Sequence, residues 1–169
     1  MKLKASLIIF ILFSLTTYVF GQKRKAEKDT QEWRYELEAM GKGAGETEQF
    51  KVWCYSKDAN TAIEQAKKNA VHGLIFRGVV AKDRFPAVQA LCNEPNVEVT
   101  RADFFDPFFK DGGQFLKYVA LVNNGSIGPN DRIKIGKEYK IGVVVTVDKA
   151  TLRKDLEAAG VVKKMGGGF

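Results

Sequence analysis

Few groups in this 169-residue chain have chemistry to offer: one histidine, His72, two cysteines, Cys54 and Cys92, and a generous supply of aromatic rings, with 12 Phe, 5 Tyr and 2 Trp. A cysteine nucleophile needs a base within hydrogen-bond reach, and no pattern in the sequence brings His72 beside either thiol. His72 is expected on a helix, partly exposed. Zinc requires several His or Cys ligands at close spacing, which one His and two distant Cys do not supply. Asp103, Asp106 and Asp111 lack the alternating oxygen ligands and closing Glu of a calcium loop. Gly41-Lys42-Gly43-Ala44-Gly45 has the glycine content of a phosphate cradle, but Glu46-Thr47-Glu48 stands where a phosphate loop has Lys and then Ser or Thr opening a helix. A hairpin loop is expected there instead. No catalytic, cofactor-binding or metal-binding residue is named by these patterns, and no cofactor is expected. A hydrolase would require a perturbed carboxylate, such as Asp103 or Asp106, in a deep pocket.

Recognition surfaces are better represented than reactive groups. Phe104, Phe105, Phe108 and Phe109 crowd one short segment. They read either as core or as an apolar patch for a protein partner, rimmed by Asp103, Asp106, Lys110 and Asp111. Trp33, Trp53 and Tyr55 form a second candidate, a ligand or glycan face on a hairpin.

The compartment is read from the first residues. Met1 to Lys4 is basic, Ala5 to Tyr18 is mostly apolar, and Val19-Phe20-Gly21 ends on a small residue, the pattern of a secretory signal peptide over 1–21. The apolar run holds about 14 residues, short of the ~20 that span hydrocarbon, so cleavage rather than a retained anchor is expected. No later stretch is long enough to cross a bilayer. Loss of Lys2 and Lys4 brings the formal charge from +7 to +5, and with export to the periplasm or exterior no nucleic acid partner is expected for that charge. Export also permits a disulfide. Cys54 and Cys92 are open to two readings, buried free thiols or one bridge.

These groups must be positioned by the elements that follow. Residues 22–32 are polar at almost every position and form a lead-in. Trp33, Tyr35, Leu37 and Ala39 alternate with charges in a first strand, and Phe50, Val52 and Cys54 alternate with Lys51, Trp53 and Tyr55 in a second. Asp58 caps a helix whose buried stripe is Ala59, Ala62, Ile63, Ala66, Ala70 and Leu74, weakened near its end by Gly73 and Gly78. A short helix with Pro86 in its first turn, a strand over Val97 to Thr100, and a helix interrupted by Pro107 are expected in the middle. Lys117 to Asn123 reads as a strand. Arg132 to Val147 reads as a strand pair turning at Gly136-Lys137, or one kinked strand. Asp148 caps a last helix that turns Leu152, Leu156 and Ala159 inward and stops at Gly160. The order predicts a single α+β domain over 33–163, a mainly antiparallel sheet with helices packed on one face, followed by a Gly-rich tail over 164–169.

Over Ala59 to Gly78 (ANTAIEQAKKNAVHGLIFRG) and Tyr139 to Gly160 (YKIGVVVTVDKATLRKDLEAAG), the chain resembles small exported domains of the FlgT N-terminal and LPP-lipoprotein type. Its Phe-rich middle and Gly-Phe tail look like uncharacterised exported proteins of the Bacteroidetes. It lacks the lipidation Cys of the lipoproteins. The resemblance implies a non-enzymatic envelope domain that supports a larger assembly. The expected role is a structural or accessory subunit binding another envelope protein, with a homo-oligomer also open. A periplasmic ligand- or glycan-binding module is the alternative.

Overall fold

The computed structural model describes residues 33–163. The signal peptide (1–21), the polar lead-in (22–32) and the Gly-rich tail (164–169) expected above lie outside the described residues. The domain is α+β, with a five-stranded antiparallel sheet packed against helices. Strand β1 (Tyr35–Lys42) pairs antiparallel with β2 (Glu48–Ser56), as the alternating patterns require. The register slips once between Ala39 and Gly41. Gly41 sits at φ +99°, and a Cβ there would meet the Phe85 ring at 2.7 Å, so only glycine suits this bulge.

Helix α1 (Ala59–Phe76) follows β2 and is capped as its sequence dictates, with Asp58 Oδ1 accepting from the Thr61 amide at 2.9 Å. Ala62, Ala66 and Ala70 are fully buried, so the helix rests close upon the sheet. Gly73 does not weaken this helix in the expected way. A Cβ on it would lie 2.2 Å from Leu37 Cδ1 and 3.2 Å from the Tyr35 hydroxyl, so the missing side chain is what lets α1 settle on β1. Past the helix end, the amides of Leu91 and Cys92 donate to the carbonyls of Leu74 and Ile75, satisfying acceptors that a helix terminus otherwise leaves open.

The middle of the chain departs most from expectation. The segment around Pro86 is not helical: Val79 bridges Val88 and Lys82 bridges Phe85, both antiparallel. Val97–Thr100 is one helical turn, α2, rather than a strand; Val97 is buried and Val99 exposed, but four residues cannot distinguish a period of 2 from one of 3.6. Pro107 sits inside helix α3 (Ala102–Phe109) without ending it. Both Pro107 and Asp103, whose carbonyl the missing N–H would have served, are exposed, and water can satisfy that acceptor. A 3-10 turn over Gln114–Tyr118 leads into β3 (Val119–Leu121), only the centre of the strand expected over Lys117 to Asn123.

Strands β4 (Arg132–Ile135) and β5 (Glu138–Val147) turn at Gly136-Lys137. β5 is the spine of the sheet. One edge pairs with β2 from Tyr139 to Val147, and the other is shared, its end taken by β3 and its beginning by β4. Ile141, Val143, Val145 and Val147 are fully buried on the helix side. Helix α4 (Lys149–Ala158) is capped by Asp148, whose Oδ1 accepts from the Thr151 amide at 2.9 Å, and buries Leu152 and Leu156. Ala159 is exposed rather than inward. Gly160 adopts φ +67° and reverses the chain, so Val161 and Val162 bury in its place.

Candidate functional site

The polar cluster with the most constrained geometry centres on His72, which is 2% exposed and not a surface helix residue as expected. α1 carries it, and Gly73 allows the approach that brings β1 within reach. Tyr35 Oη lies 2.5 Å from Nδ1, and Glu98 of α2 places Oε1 3.1 Å from Nε2. A carboxylate accepts only, so Nε2 carries the proton, and the neutral imidazole accepts a hydrogen bond from the Tyr35 hydroxyl at Nδ1. Trp33 lies flat on the ring at 3.4 Å between centroids, and Phe76 and Phe109 close the other sides. The Arg77 guanidinium stands over the Tyr35 ring at 4.6 Å and donates to the Trp33 carbonyl at 3.2 Å.

The electrostatics follow from this enclosure. Burial holds His72 below its ordinary value, outweighing the hydrogen bond to Glu98 that favours the charged form. Burial likewise pushes Tyr35 up, against the nearby Arg77 charge. The hydrogen bond from His72 lowers Glu98, with burial opposing. A base would have to be open to substrate and a nucleophile would have to ionise. Here His72 spends both nitrogens on protein partners and Tyr35 is held protonated. The arrangement binds β1, α1 and α2 to one another.

The sequence could not see this cluster because its members lie at positions 33, 35, 72 and 98. The one available signal was a lone polar ring among apolar neighbours late in the helix. Four other polar residues, Ser56, Thr61, Gln65 and Asn69, are buried with it. Asn69 Nδ2 lies 3.4 Å from Cys54 Sγ. Both cysteines are free and buried, so the bridge left open above is absent. Burial pushes the Cys54 thiol up to about 12, against the hydrogen bond from Asn69, and leaves it inert.

The two expected recognition surfaces fare differently. Phe105, Phe108 and Phe109 are buried core residues, and Phe104 is half-buried with its ring stacked on Phe108 at 5.5 Å. They offer no exposed aromatic patch, because edge-to-face and stacked contacts with one another, Phe76 and Tyr118 consume their surface. Trp33, Trp53 and Tyr55 do not share a face. Trp33 belongs to the His72 cluster, while Trp53 and Tyr55 alternate with fully buried Val52 and Cys54 and so stand on the sheet's other side.

That outer side is a lattice of rings and charges. Strand pairing sets Glu36, Trp53 and Gly142 in one row, and Tyr55, Lys140 and Ile133 in the next. Gly142 leaves room for the Trp53 ring, whose Cζ3 lies 3.0 Å from where a Cβ would be. Lys140 Nζ donates to Glu36 at 2.7 Å and stands 5.3 Å from the Trp53 ring, while the Arg34 guanidinium lies 4.7 Å over Tyr55. The Lys140 ammonium holds Glu36 below the ordinary carboxylate range. Beside these groups Ile133 and Ile135 are 47% and 42% exposed.

Among the described residues, no helix is long and apolar enough to cross a membrane. No three His, Cys, Asp or Glu side chains gather there as a metal site would need. No protein-family model, curated protein or solved structure matches this chain.

Proposed function

We propose that this protein is an exported, non-enzymatic accessory domain of the cell envelope, which binds another envelope protein through the outer side of its sheet. The observation that carries this reading is the joining of exposed Ile133 and Ile135 to the Trp53–Tyr55–Lys140 lattice across paired strands. Half-buried aromatics with cations beside them, next to aliphatic side chains left in water, have the composition of an interface core with a charged rim. The contact surface thus moves from the Phe104–Phe109 segment to the opposite layer. Cations already lie against the Trp53 and Tyr55 rings, which favours a protein surface over a sugar-stacking platform. The signal-peptide pattern and the resemblance to envelope domains support export and the accessory role.

The test is site-specific cross-linking from the outer side, at Ile135, and from exposed Lys154 on α4 as control, in envelope preparations of the source cells. A single partner joined from position 135 but not 154, and lost in Ile133→Glu, supports the reading. Cross-linking that is equal from both positions, or indifferent to Ile133→Glu, overturns it. Export is checked by the mass of the mature chain, expected to begin at Gln22.

A further inference from the structure

β4 is one edge where this sheet can still grow. It pairs with β5 alone, and all four of its residues are exposed. The opposite edge is partly closed, because Val80 bridges Glu38 of β1 in parallel. An edge strand turns alternate N–H and C=O groups away from its neighbour, which makes it a template for another strand.

The side chains of β4 specify what would pair there. Ile133 and Ile135 lie on the outer side with Tyr55 and Lys140, while Arg132 and Lys134 alternate to the other face and Lys137 follows in the turn. The nearby acids are already engaged: Glu138 accepts from Arg34 at 2.8 Å and Asp131 from Lys51 at 2.7 Å. Lys134 and Lys137 carry no ion pair among the described residues. An incoming strand would therefore meet aliphatic side chains on one face and, on the other, Lys134 with no acid against it and Arg132 laid over the Tyr139 ring at 4.2 Å.

We propose that β4 accepts an extended segment of the partner as an added strand, and that this segment alternates apolar and acidic residues. The inference rests on the reading of the outer side as the contact surface and gives that partner a chemistry. Main-chain hydrogen bonds supply the adhesion and cross-strand pairs the selectivity. A second copy of the chain is a poor occupant, since β4 against β4 crowds Arg132 and Lys134 of both copies together, and edge lysines deter such self-pairing.

The test is titration of the mature protein with two synthetic peptides, one alternating valine and glutamate, the other valine and lysine. The glutamate peptide should bind at least about tenfold more tightly and weaken with added salt. Binding should slow amide exchange in β4, and Lys134→Glu should reverse the preference, which mere misfolding would not do. Equal binding of the two peptides, no binding of either, or an unchanged preference in Lys134→Glu overturns the inference. So does a dimer that Ile133→Glu dissolves. If the partner still cross-links from position 135 while neither peptide binds, strand addition fails and the outer-side reading stands. If that cross-link is also absent, the reading itself fails.

Discussion

Trp33 lies flat on His72, with ring centroids 3.4 Å apart and planes 19° from parallel. Trp33 has φ +44°, a backbone region costly for a bulky side chain. The stack on His72, edge contacts with Tyr35 and Phe109, and the Arg77 bond to its carbonyl hold it there. Trp33, at the entry to β1, is thus fixed by a buried imidazole more than 35 residues away.

Removing the Tyr35 hydroxyl tests the His72 cluster. In Tyr35→Phe, Nδ1 of His72 becomes a buried acceptor with no partner, because Glu98 still requires the proton on Nε2. An orphaned buried acceptor costs about 1–3 kcal/mol. Urea unfolding should show a loss of that size with an unchanged slope. A loss of a few tenths would mean that the hydroxyl is not satisfying the ring.

Acid should loosen the same cluster. The folded-state value of His72 is depressed below its ordinary 6.5, so the neutral ring contributes stability that is present above pH 6.5 and lost as pH falls below it. Glu98 is also depressed, and its contribution is lost at still lower pH, so both push one way. Unfolding midpoints should fall between pH 7.5 and 5, and fall less in His72→Gln. Parallel pH curves for wild type and variant would remove His72 as the cause.

Much of this architecture could be read in the sequence, and the reasons are local. Both Asp caps, the alanine stripe of α1 and the alternation in β1 and β2 each depend on neighbours within one or two turns of chain. The failures have a common cause in distance and brevity. Val97–Thr100 and the Pro86 segment are too short for a period to decide their state. The burial of His72 depends on Gly73 meeting Leu37 across the fold, and the outer lattice needs the β2–β5 register, which no single strand reveals.

Gly73→Ala weighs two opposing effects on one atom. Alanine gains about 1 kcal/mol in helix propensity over glycine, but its Cβ enters the space of Leu37 and crowds the Tyr35 ring. Overpacking in a filled core costs about 1–3 kcal/mol, so the variant should be less stable on balance. Leu37→Ala added to Gly73→Ala should recover part of the loss relative to additivity. A more stable single variant would show that Leu37 turns aside freely.

The phenylalanine segment can be tested by charge. Phe108 is 3% exposed and packs on Phe104, Phe105, Phe109 and Tyr118. Deleting such a ring costs about 3–5 kcal/mol, and an aspartate adds the penalty of a buried unpaired carboxylate. Phe108→Asp should therefore abolish cooperative melting, whereas Phe104→Asp, at a half-buried position, should melt cooperatively at a lower temperature. A Phe108→Asp protein that melts like wild type would free the ring from the core and reopen this segment as a contact surface.

Thiol chemistry gives the last prediction. Cys54 and Cys92 are free and buried, and the Cys54 thiol, held near 12, has almost no thiolate at neutral pH. The native protein should resist an alkylating reagent and take up two labels when unfolded in denaturant without reductant. Burial shields both thiols from oxidant, so loss of packing should expose them to oxidation. One consequence is that Asn69→Ala, which removes the contact to Cys54 Sγ, should speed native labelling by loosening α1 over β2. Failure of the denatured wild type to label without reductant would reveal a bridge and contradict the free thiols.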